Sequence, residues 1–218
     1  MMNQIIMQPK NSTIQYFKKN QYRLQFWFSF GIALIFLCIF FSNIYQMHKQ
    51  EKLSKTLLNN YSLTTLYQNL EDTQNTVRPQ KVQVTYSNPF VIGMIRIDKI
   101  NVNYPILSES NRDLLKISLC RFAGPMPNEI GNLCIAGHNY VDYKLFSRLH
   151  ELENGDVIEI YDLNGTKITY IVFDKFEVKP NDLSCTSQNV GENKIVTLLT
   201  CNNVNGKRTV VKAKEYTE

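Results

Sequence analysis

The sequence lacks the patterns that define several large protein classes. Its five cysteines cannot all pair, and their scatter along 218 residues shows neither CxxC pairs nor the dense framework of a disulfide-stapled secreted domain. The formal net charge is only +5, and the lysines are spread without a glycine-arginine run or a zinc-ligand pattern. There is no internal repeat and no low-complexity tract. These absences argue against a nucleic-acid partner and favour free thiols over disulfides.

A stretch near the start lacks charge altogether. Between Arg23 and His48 runs LQFWFSFGIALIFLCIFFSNIY, residues 24–45. About 20 apolar residues, at about 1.5 Å rise each, span the roughly 30 Å hydrocarbon layer of a membrane. A secretory signal peptide would have a shorter apolar core and a small-residue cleavage site, which FFSNIYQMHKQ lacks. The pattern therefore predicts an uncleaved transmembrane anchor over residues 24–45.

The charges around this anchor indicate its orientation only weakly. Four basic residues precede the span and three follow it closely, so the positive-inside bias is small; they are Lys10, Lys18, Lys19 and Arg23, then Lys49, Lys52 and Lys55. We expect a single pass through the cell membrane. Residues 1–23 would then be cytoplasmic, and the C-terminal domain would be extracellular.

Residues 46–89 are expected to form a stalk helix and a linker. The first part is polar and free of glycine and proline, and its larger apolar residues, such as Leu53, Leu57 and Tyr61, recur at roughly helical spacing. The following VRPQKVQVTYSNP carries two prolines and few large aliphatic residues, which is typical of a linker. We expect the globular domain to occupy residues 90–218, with the stalk contributing nothing to its core.

From residue 90 onward the sequence predicts mainly β-strands. Period-two, β-branched segments recur between turn residues: VIGMIRIDKINVNYPIL, DVIEIYD, KITYIVFDKFEV, KIVTLLTC and RTVVKAKEY. Two Asn-Gly pairs, Asn164-Gly165 and Asn205-Gly206, are strong hairpin signals. The segment DYKLFSRLHELENGD breaks the period and is expected to hold one short helix. Several short strands in one domain favour a barrel or a sandwich.

A lone cysteine, Cys201, ends the strand KIVTLLTC where an asparagine-rich turn begins. If that strand pairs antiparallel with RTVVKAKEY across NNVNG, Cys201 and Arg208 lie directly opposite each other, with Cβ atoms about 5 Å apart. The guanidinium would stabilise a thiolate and donate to an oxyanion that forms on a carbonyl under attack. The alternative is a surface arginine at the end of a hairpin.

One of the three histidines also lies where a strand ends. His138 follows the small apolar strand NLCIAG, whereas His48 and His150 are expected to be solvated. A histidine that titrates near neutral pH can protonate the amine that departs when a thiolate attacks an amide. Cys201, His138 and Arg208 are a chemically complete set for acyl transfer. Spacing alone does not bring position 138 to position 201.

The remaining cysteines of the strand-rich domain are expected to play no part in chemistry. Cys120 and Cys134 lie in apolar surroundings, where a buried thiol behaves as a small hydrophobic residue. Cys185 lies in the polar loop NDLSCTSQN, so we expect it to be exposed. It has no basic neighbour in sequence that would lower its pKa, which makes it a poor nucleophile.

Three separated motifs resemble the sortase family of Gram-positive bacteria, which are membrane-anchored cysteine transpeptidases. They are IGMIRIDKINVNYPI, GNLCIAGHNY and TLLTC followed by Arg208, in the family's order, and the resemblance covers about Val91 to Lys214. It implies an all-β fold, a closed eight-stranded sortase-type β-barrel with short helices. It also implies that Cys201 is the nucleophile, His138 the general acid/base and Arg208 the oxyanion stabiliser. Many members have proline where this chain has Asp98, a difference that touches no catalytic residue.

The resemblance implies a substrate class as well. Cys201 would cleave an LPxTG-like sorting signal of a secreted surface protein, and an amine acceptor, from a cell-wall peptide precursor or a pilin lysine, would take the acyl group. Thr200 would support substrate binding by orienting Arg208 or the bound signal; an ordinary strand threonine is the alternative. No metal or organic cofactor is required. Some relatives bind calcium through loop carboxylates, but no such cluster is identifiable here, and Glu151 and Glu153 stay unassigned.

Two other functions stay open on the sequence: a membrane-tethered hydrolytic cysteine peptidase and a non-catalytic binding barrel. Within the family, the connection KPNDLSCTSQNVGEN is short and lacks the helical insertion expected of class B. The chain shows no second span, and SNPF at 87–90 resembles the class C lid motif only loosely. We expect a class A-like or D-like sortase.

Overall fold

The computed structural model describes residues 12–74, 90–140 and 144–217, with helix side chains described at 22, 23 and 25–62. The predicted linker, residues 77–89, lies outside the described residues. Helix α1, Ser12–Gln74, runs without interruption through both the predicted anchor and the predicted stalk. The described residues of both segments are therefore helical.

The first part of α1 is apolar enough to cross a membrane. Within Gln25–Ser62, an 18-residue stretch reaches a mean hydropathy of 2.1, contains at most two charged residues and is not buried inside the structure. Large side chains along it are widely exposed, such as Phe28 at 72% and Phe36 at 67%. This apolar stretch is therefore not buried as the core helix of a soluble domain would be.

The chain divides into two compact units, Met1–Lys49 and Gln50–Glu218. The second unit contains the C-terminal part of α1 together with the strands. Leu57 of α1 is buried in one cluster with Leu107 and Cys120 of the strand domain. The expectation that the stalk adds nothing to the domain core is therefore wrong, because an apolar side chain of the helix fills part of that core.

Eight strands of the described residues close into one barrel, in the order β1-β2-β3-β4-β7-β8-β6-β5. This confirms the predicted closed eight-stranded fold. Neighbouring strands pair antiparallel except β2 with β3 and β4 with β7, which pair parallel. The strands are β1 Val91–Ile97, β2 Val102–Leu107, β3 Leu119–Ala123, β4 Gly131–Ala136, β5 Val157–Tyr161, β6 Lys167–Val178, β7 Lys194–Cys201 and β8 Arg208–Glu215.

Short helical segments connect the strands. Helix α2 spans Leu114–Ile117, between β2 and β3. Single 3-10 turns lie at Asp98–Ile100, Leu149–Glu151 and Ser184–Thr186. The predicted short helix after His138 is thus a 3-10 turn at Leu149–Glu151. Strand β3, which has five residues, carried too little pattern to be predicted.

On β4, β7 and β8 the two strand faces belong to different buried clusters. Inward side chains such as Ile95, Val196, Leu198 and Val211 are at most 1% exposed and form the main core. Because successive strand residues point to opposite faces, neighbours of inward residues on β4, β7 and β8 belong to a second, outer cluster. Its buried members are Cys134, Val178, Cys185, Leu199 and Val210.

Cys185 is buried, which corrects the expectation that it is exposed. It is 2% exposed and belongs to the outer cluster. The side chain of Asn132 on β4 donates to the backbone carbonyls of Cys185 at 3.0 Å and Ser187 at 3.1 Å. These bonds hold the polar β6–β7 loop against the barrel wall, so its cysteine is covered although its sequence is hydrophilic.

Both predicted Asn-Gly hairpins are present. Asn164 and Gly165 connect β5 to β6, and Asn205 and Gly206 lie between β7 and β8. Gly165 and Gly206 have φ angles of 77° and 68°, in the left-handed region that glycine adopts without a Cβ clash. The second hairpin sets the register of the strands that carry Cys201 and Arg208.

Candidate active site

The parallel pair β4 and β7 brings His138 and Cys201 to the same edge of the barrel. Ala136 at the end of β4 pairs with Leu199, two residues before the end of β7. The backbone N–H of Gly137 continues the ladder by donating to the carbonyl of Leu199 at 3.0 Å. His138 therefore leaves its strand at the level where β7 reaches Cys201.

Cys201 and Arg208 are directly opposite each other in the antiparallel β7–β8 ladder, as the hairpin predicted. Cys201 is exposed, and Arg208 is partly buried. The guanidinium carbon of Arg208 lies 6.0 Å from the centre of the Phe122 ring, within the range of a cation–π contact. Among the described residues no carboxylate forms an ion pair with Arg208, which lines a cavity at this edge of the barrel.

A cavity of about 320 Å³ lies over this barrel edge. Cys201, His138, Arg208 and Thr200 all line it, so the structure brings together every site residue predicted from the sequence. The loop before α2 contributes Arg112 to the lining, along with two neighbouring polar residues. No Asp or Glu of the described residues lines the cavity, whereas Arg112 and Arg208 do.

The hydroxyl of Thr200 supports the chain that leads into His138. Thr200 is 6% exposed, and its Oγ1 donates to the carbonyl of Gly137 at 2.8 Å. At Gly137 an added Cβ would lie 2.4 Å from Leu119 Cδ2 and 2.8 Å from Phe146 Cδ2, so a larger residue fits only if these side chains shift. Thr200 thus holds the close-packed turn that aims His138, and its hydrogen bond does not involve Arg208.

Two asparagines tie the loop of His138 to the loop of Cys201. The side-chain amide of Asn139 donates to the backbone carbonyl of Cys201 at 2.8 Å. The side-chain amide of Asn203 donates in return to the carbonyl of Asn139 at 3.0 Å. The two reactive side chains are therefore held by a reciprocal pair of bonds between their neighbours.

A single carboxylate organises the β7–β8 loop. Glu177 on β6 accepts hydrogen bonds from Asn202 at 2.7 Å and from Asn205 at 2.9 and 3.0 Å. Lys207 lies 3.5 Å from the same carboxylate. The two amide donors lower the pKa of Glu177, and the charge of Lys207 lowers it further, so the carboxylate stays ionised. The ionised carboxylate stabilises the loop between Cys201 and Arg208.

The imidazole of His138 is biased toward its neutral form. Partial burial lowers its pKa, and the positive charge of Lys116 on α2 lowers it further. The ring of Tyr140 lies 5.1 Å from the imidazole, centre to centre. A neutral imidazole near pH 7 can accept the proton of a thiol.

Burial separates Cys201 from the other thiols of the barrel. It raises the pKa of Cys120 and of Cys134 to about 12, and it also raises the pKa of Cys185. Cys201 is exposed at the cavity, while Cys38 is exposed on the apolar part of α1. Cys201 is thus the one accessible thiol of the described barrel.

The described residues include no group of three or more His, Cys, Asp or Glu side chains placed to hold a metal ion. The two unassigned carboxylates have cationic partners. Glu151 accepts a hydrogen bond from Arg148 at 2.7 Å, and Glu153 lies 3.8 Å from Lys99.

Known proteins share sequence and fold with this chain. Residues 95–216 match the sortase domain family, over more than half of the chain. The chain belongs to the sortase family. Sortase A of Bacillus anthracis is 35% identical over 127 residues, a match that covers 56% of this chain and 58% of that protein. The chain thus spans somewhat more than half the length of this relative.

Solved sortase structures share the fold. A Clostridium perfringens sortase D5 transpeptidase is 30% identical with a TM-score of 0.64, over 77% of this chain and 100% of that one. A Clostridium perfringens sortase C aligns over 75% of this chain and 91% of that one, with a TM-score of 0.54. At 22% identity the second match shows a common fold only.

Several residues that shape this sortase site were missed from the sequence. Asn139 and Asn203 stand beside His138 and Cys201, but an asparagine next to a turn normally indicates only turn geometry. Phe122 and Arg112 precede the matched histidine motif by many residues and carry no pattern of their own. Their roles depend on which strands become neighbours, which local sequence does not state.

Proposed function

We propose that this chain is a sortase-type cysteine transpeptidase that cleaves an LPxTG-like sorting signal and transfers it to an amine acceptor. The observation that carries the proposal is the convergence of Cys201, His138 and Arg208 on one cavity. The opposed strand positions of Cys201 and Arg208 support it, as do the parallel strand ends that bring His138 to the same edge of the barrel. This set contains a nucleophile, a proton carrier and an oxyanion donor.

In the first half-reaction the thiol of Cys201 attacks the carbonyl carbon of the threonine in the sorting signal. The thiol proton passes to the neutral imidazole of His138 as the C–S bond forms. Arg208 donates hydrogen bonds to the resulting oxyanion, and no carboxylate of the described residues lines the cavity to compete for those donors. The C–N bond to glycine then breaks, and imidazolium returns the proton to the leaving amine.

The second half-reaction reverses these roles. An acceptor amine attacks the thioacyl carbon, and His138 takes a proton from the attacking nitrogen. The C–S bond breaks, the new amide bond remains, and the thiolate of Cys201 recovers its proton. The acceptor we propose is the amine of a cell-wall peptide precursor, or a pilin lysine. No cofactor and no nucleic acid enters this scheme.

We place this activity at the outer surface of the cell membrane. Residues 24–45 form the single-pass anchor, residues 1–23 remain in the cytoplasm, and the catalytic domain of residues 90–218 is extracellular. The long apolar helix supports the anchor, and the secreted surface proteins that carry sorting signals are available on that side. Two relatives with 30% identity or more, a sortase A and a sortase D5, support a class A-like or D-like assignment.

The β6–β7 loop and the Thr200 neighbourhood are the proposed substrate contacts. Thr200 lines the cavity next to Cys201, although its hydroxyl donates to Gly137. The β6–β7 loop is held on the barrel by Asn132 and covers the outer cluster that contains Leu199. Exchange of residues 179–193 with the loop of a relative should change which signal is cleaved.

The test uses the full chain in detergent micelles with an LPxTG-type peptide, with and without an added amine. Mass spectrometry distinguishes the transfer product from the free carboxylate and detects the thioacyl adduct on Cys201. Transfer in the presence of amine is the expected result. Free carboxylate alone, even with excess amine, would identify a hydrolytic cysteine peptidase, and binding without any cleavage would identify a non-catalytic barrel.

A further inference from the structure

The segment of α1 that follows the apolar stretch is part of the catalytic unit. Within Gln50–Tyr61, the buried positions Ser54, Leu57 and Tyr61 recur at three- and four-residue spacing, which places them on one helix face. Leu57 is 8% exposed and packs with Leu107 of β2 and Cys120 of β3. The partly buried residues around this contact are Val91, Leu114, Leu115 and Ile117.

The same helix face is tied to two loops of the barrel. Toward its C-terminal end, the hydroxyl of Tyr61 donates to the backbone carbonyl of Asp162 in the β5–β6 turn. At its other end, the carboxylate of Glu51 accepts a hydrogen bond from the ammonium of Lys144 at 3.0 Å. Apolar packing between these two ends fixes the position of the segment on the barrel.

Lys144 belongs to the loop that starts at His138. The backbone N–H of Phe146 donates to the carbonyl of His138 at 3.1 Å, and Asn139 forms an isolated bridge with Leu145. The loop therefore returns to its own starting point immediately after Lys144. A displacement of Lys144 therefore changes the position of His138 through these few hydrogen bonds.

We propose that the Gln50–Tyr61 segment positions the active site, with the Glu51–Lys144 ion pair holding the loop that begins at His138. Glu51 and Lys144 are positioning residues and touch no reacting atom. The effect on catalysis rests on the proposed function, because His138 must face Cys201 for proton transfer. The stabilisation of the loop by the ion pair can be measured without any substrate.

Charge exchange tests the ion pair in the full chain. Glu51→Lys and Lys144→Glu each place like charges together, and the double variant restores an attractive pair with reversed sign. The amide exchange rate of Phe146, whose N–H is bonded to His138, reports on the loop. Each single variant should speed this exchange and lower kcat by about two- to five-fold, the range expected for a partly exposed ion pair, with little change in KM. The double variant should restore the wild-type exchange rate of Phe146 and the wild-type kcat.

The helix offers matched controls. Lys55→Glu removes the other partner of Glu51, which lies 2.8 Å away on the same helix, and should leave the exchange of Phe146 unchanged. Leu57→Asn should speed that exchange by displacing the segment. Leu53→Asn, at a position that is 39% exposed on the same helix, should not. The amide of Gly137, bonded within the β4–β7 ladder, serves as an internal reference that no variant should affect.

The outcomes separate this inference from the proposed function. Wild-type exchange at Phe146 in both single charge variants, or failure of the double variant to recover, would overturn the positioning role. If the exchange pattern appears as expected but the wild-type chain transfers no acyl group from any sorting peptide, the proposed function fails while the hold on the His138 loop is supported. Equal increases of the Phe146 exchange rate in Leu53→Asn and Leu57→Asn would also overturn the positioning role.

Discussion

The side-chain amide of Asn139 donates to the backbone carbonyl of Cys201 at 2.8 Å. The residue next to the candidate proton carrier thus binds the backbone of the candidate nucleophile, across a sequence separation of 62 residues. Asn203 returns a bond to the carbonyl of Asn139, so the two loops constrain each other. The distance from thiol to imidazole therefore depends on amide groups that take no part in the chemistry.

Asn139→Asp should lower kcat/KM by roughly 2- to 12-fold, the equivalent of one lost hydrogen bond of about 0.5–1.5 kcal/mol. The carboxylate has almost the same shape, but it cannot donate to the Cys201 carbonyl. Steady-state transpeptidation is the measurement. Asn181→Asp, in the exposed part of the β6–β7 loop, adds the same charge as a control. Equal effects of the two variants would show that charge, rather than the lost bond, is responsible.

Cys201→Ala should abolish both the acyl-enzyme and the product. Cys120, Cys134 and Cys185 are buried and their thiol pKa values are raised, so none of them replaces the missing nucleophile. Mass spectrometry of the protein after incubation with the sorting peptide detects any adduct. Cys38→Ala is the thiol control and should react normally. An adduct on the Cys201→Ala protein would contradict the assignment.

Arg208→Lys should lower turnover by about 100- to 1000-fold if the guanidinium donates to the oxyanion. Lysine keeps the charge but loses the planar arrangement of donors. Stability should change by about 0.5 kcal/mol or less, since Arg208 has no ion pair among the described residues. Transpeptidation and a melting curve are measured together, with Arg96→Lys as the control. A turnover close to normal in Arg208→Ala would remove Arg208 from the site.

The pKa of His138 should lie below its usual value of 6.5, because burial and then Lys116 disfavour imidazolium. An NMR titration of the imidazole measures it directly. Lys116→Gln should raise this pKa part of the way back, since burial remains. Lys167→Gln, which removes an ammonium paired with Glu159, should leave it unchanged. If Lys116→Gln has the same His138 pKa as the wild-type chain, the charge of Lys116 is not a cause of the shift.

The same shift predicts how stability depends on pH. The unfolded chain binds the His138 proton more readily than the folded chain, so the free energy of unfolding decreases as pH falls through about 6.5 toward the lower folded pKa. His138→Gln has no such group. As pH falls from about 7.5 to about 5, the stability of this variant relative to the wild-type chain should therefore rise. Denaturant unfolding across this range is the measurement, and a constant difference between the two proteins would contradict the prediction.

Predictions from the sequence succeeded where the deciding interactions are local. The apolar run of residues 24–45 specifies a helix long enough to span a membrane, because each backbone bond of a helix joins near neighbours. The Asn205-Gly206 turn sets which residues of β7 and β8 face each other, and so it placed Arg208 opposite Cys201. This one hairpin was enough to predict the relative positions of two site residues, Cys201 and Arg208.

The tertiary structure alone decided how His138 reaches that pair. The parallel pairing of β4 with β7 joins segments separated by 63 residues, and no turn between them specifies it. The closing of the barrel selects this pairing, because only then do the inward faces of both strands meet the same core. Burial of Cys185 and docking of Leu57 depend on the same long-range packing. The sequence therefore determined the strands and the reactive hairpin, and the closed barrel determined which strand ends, loops and helix face surround it.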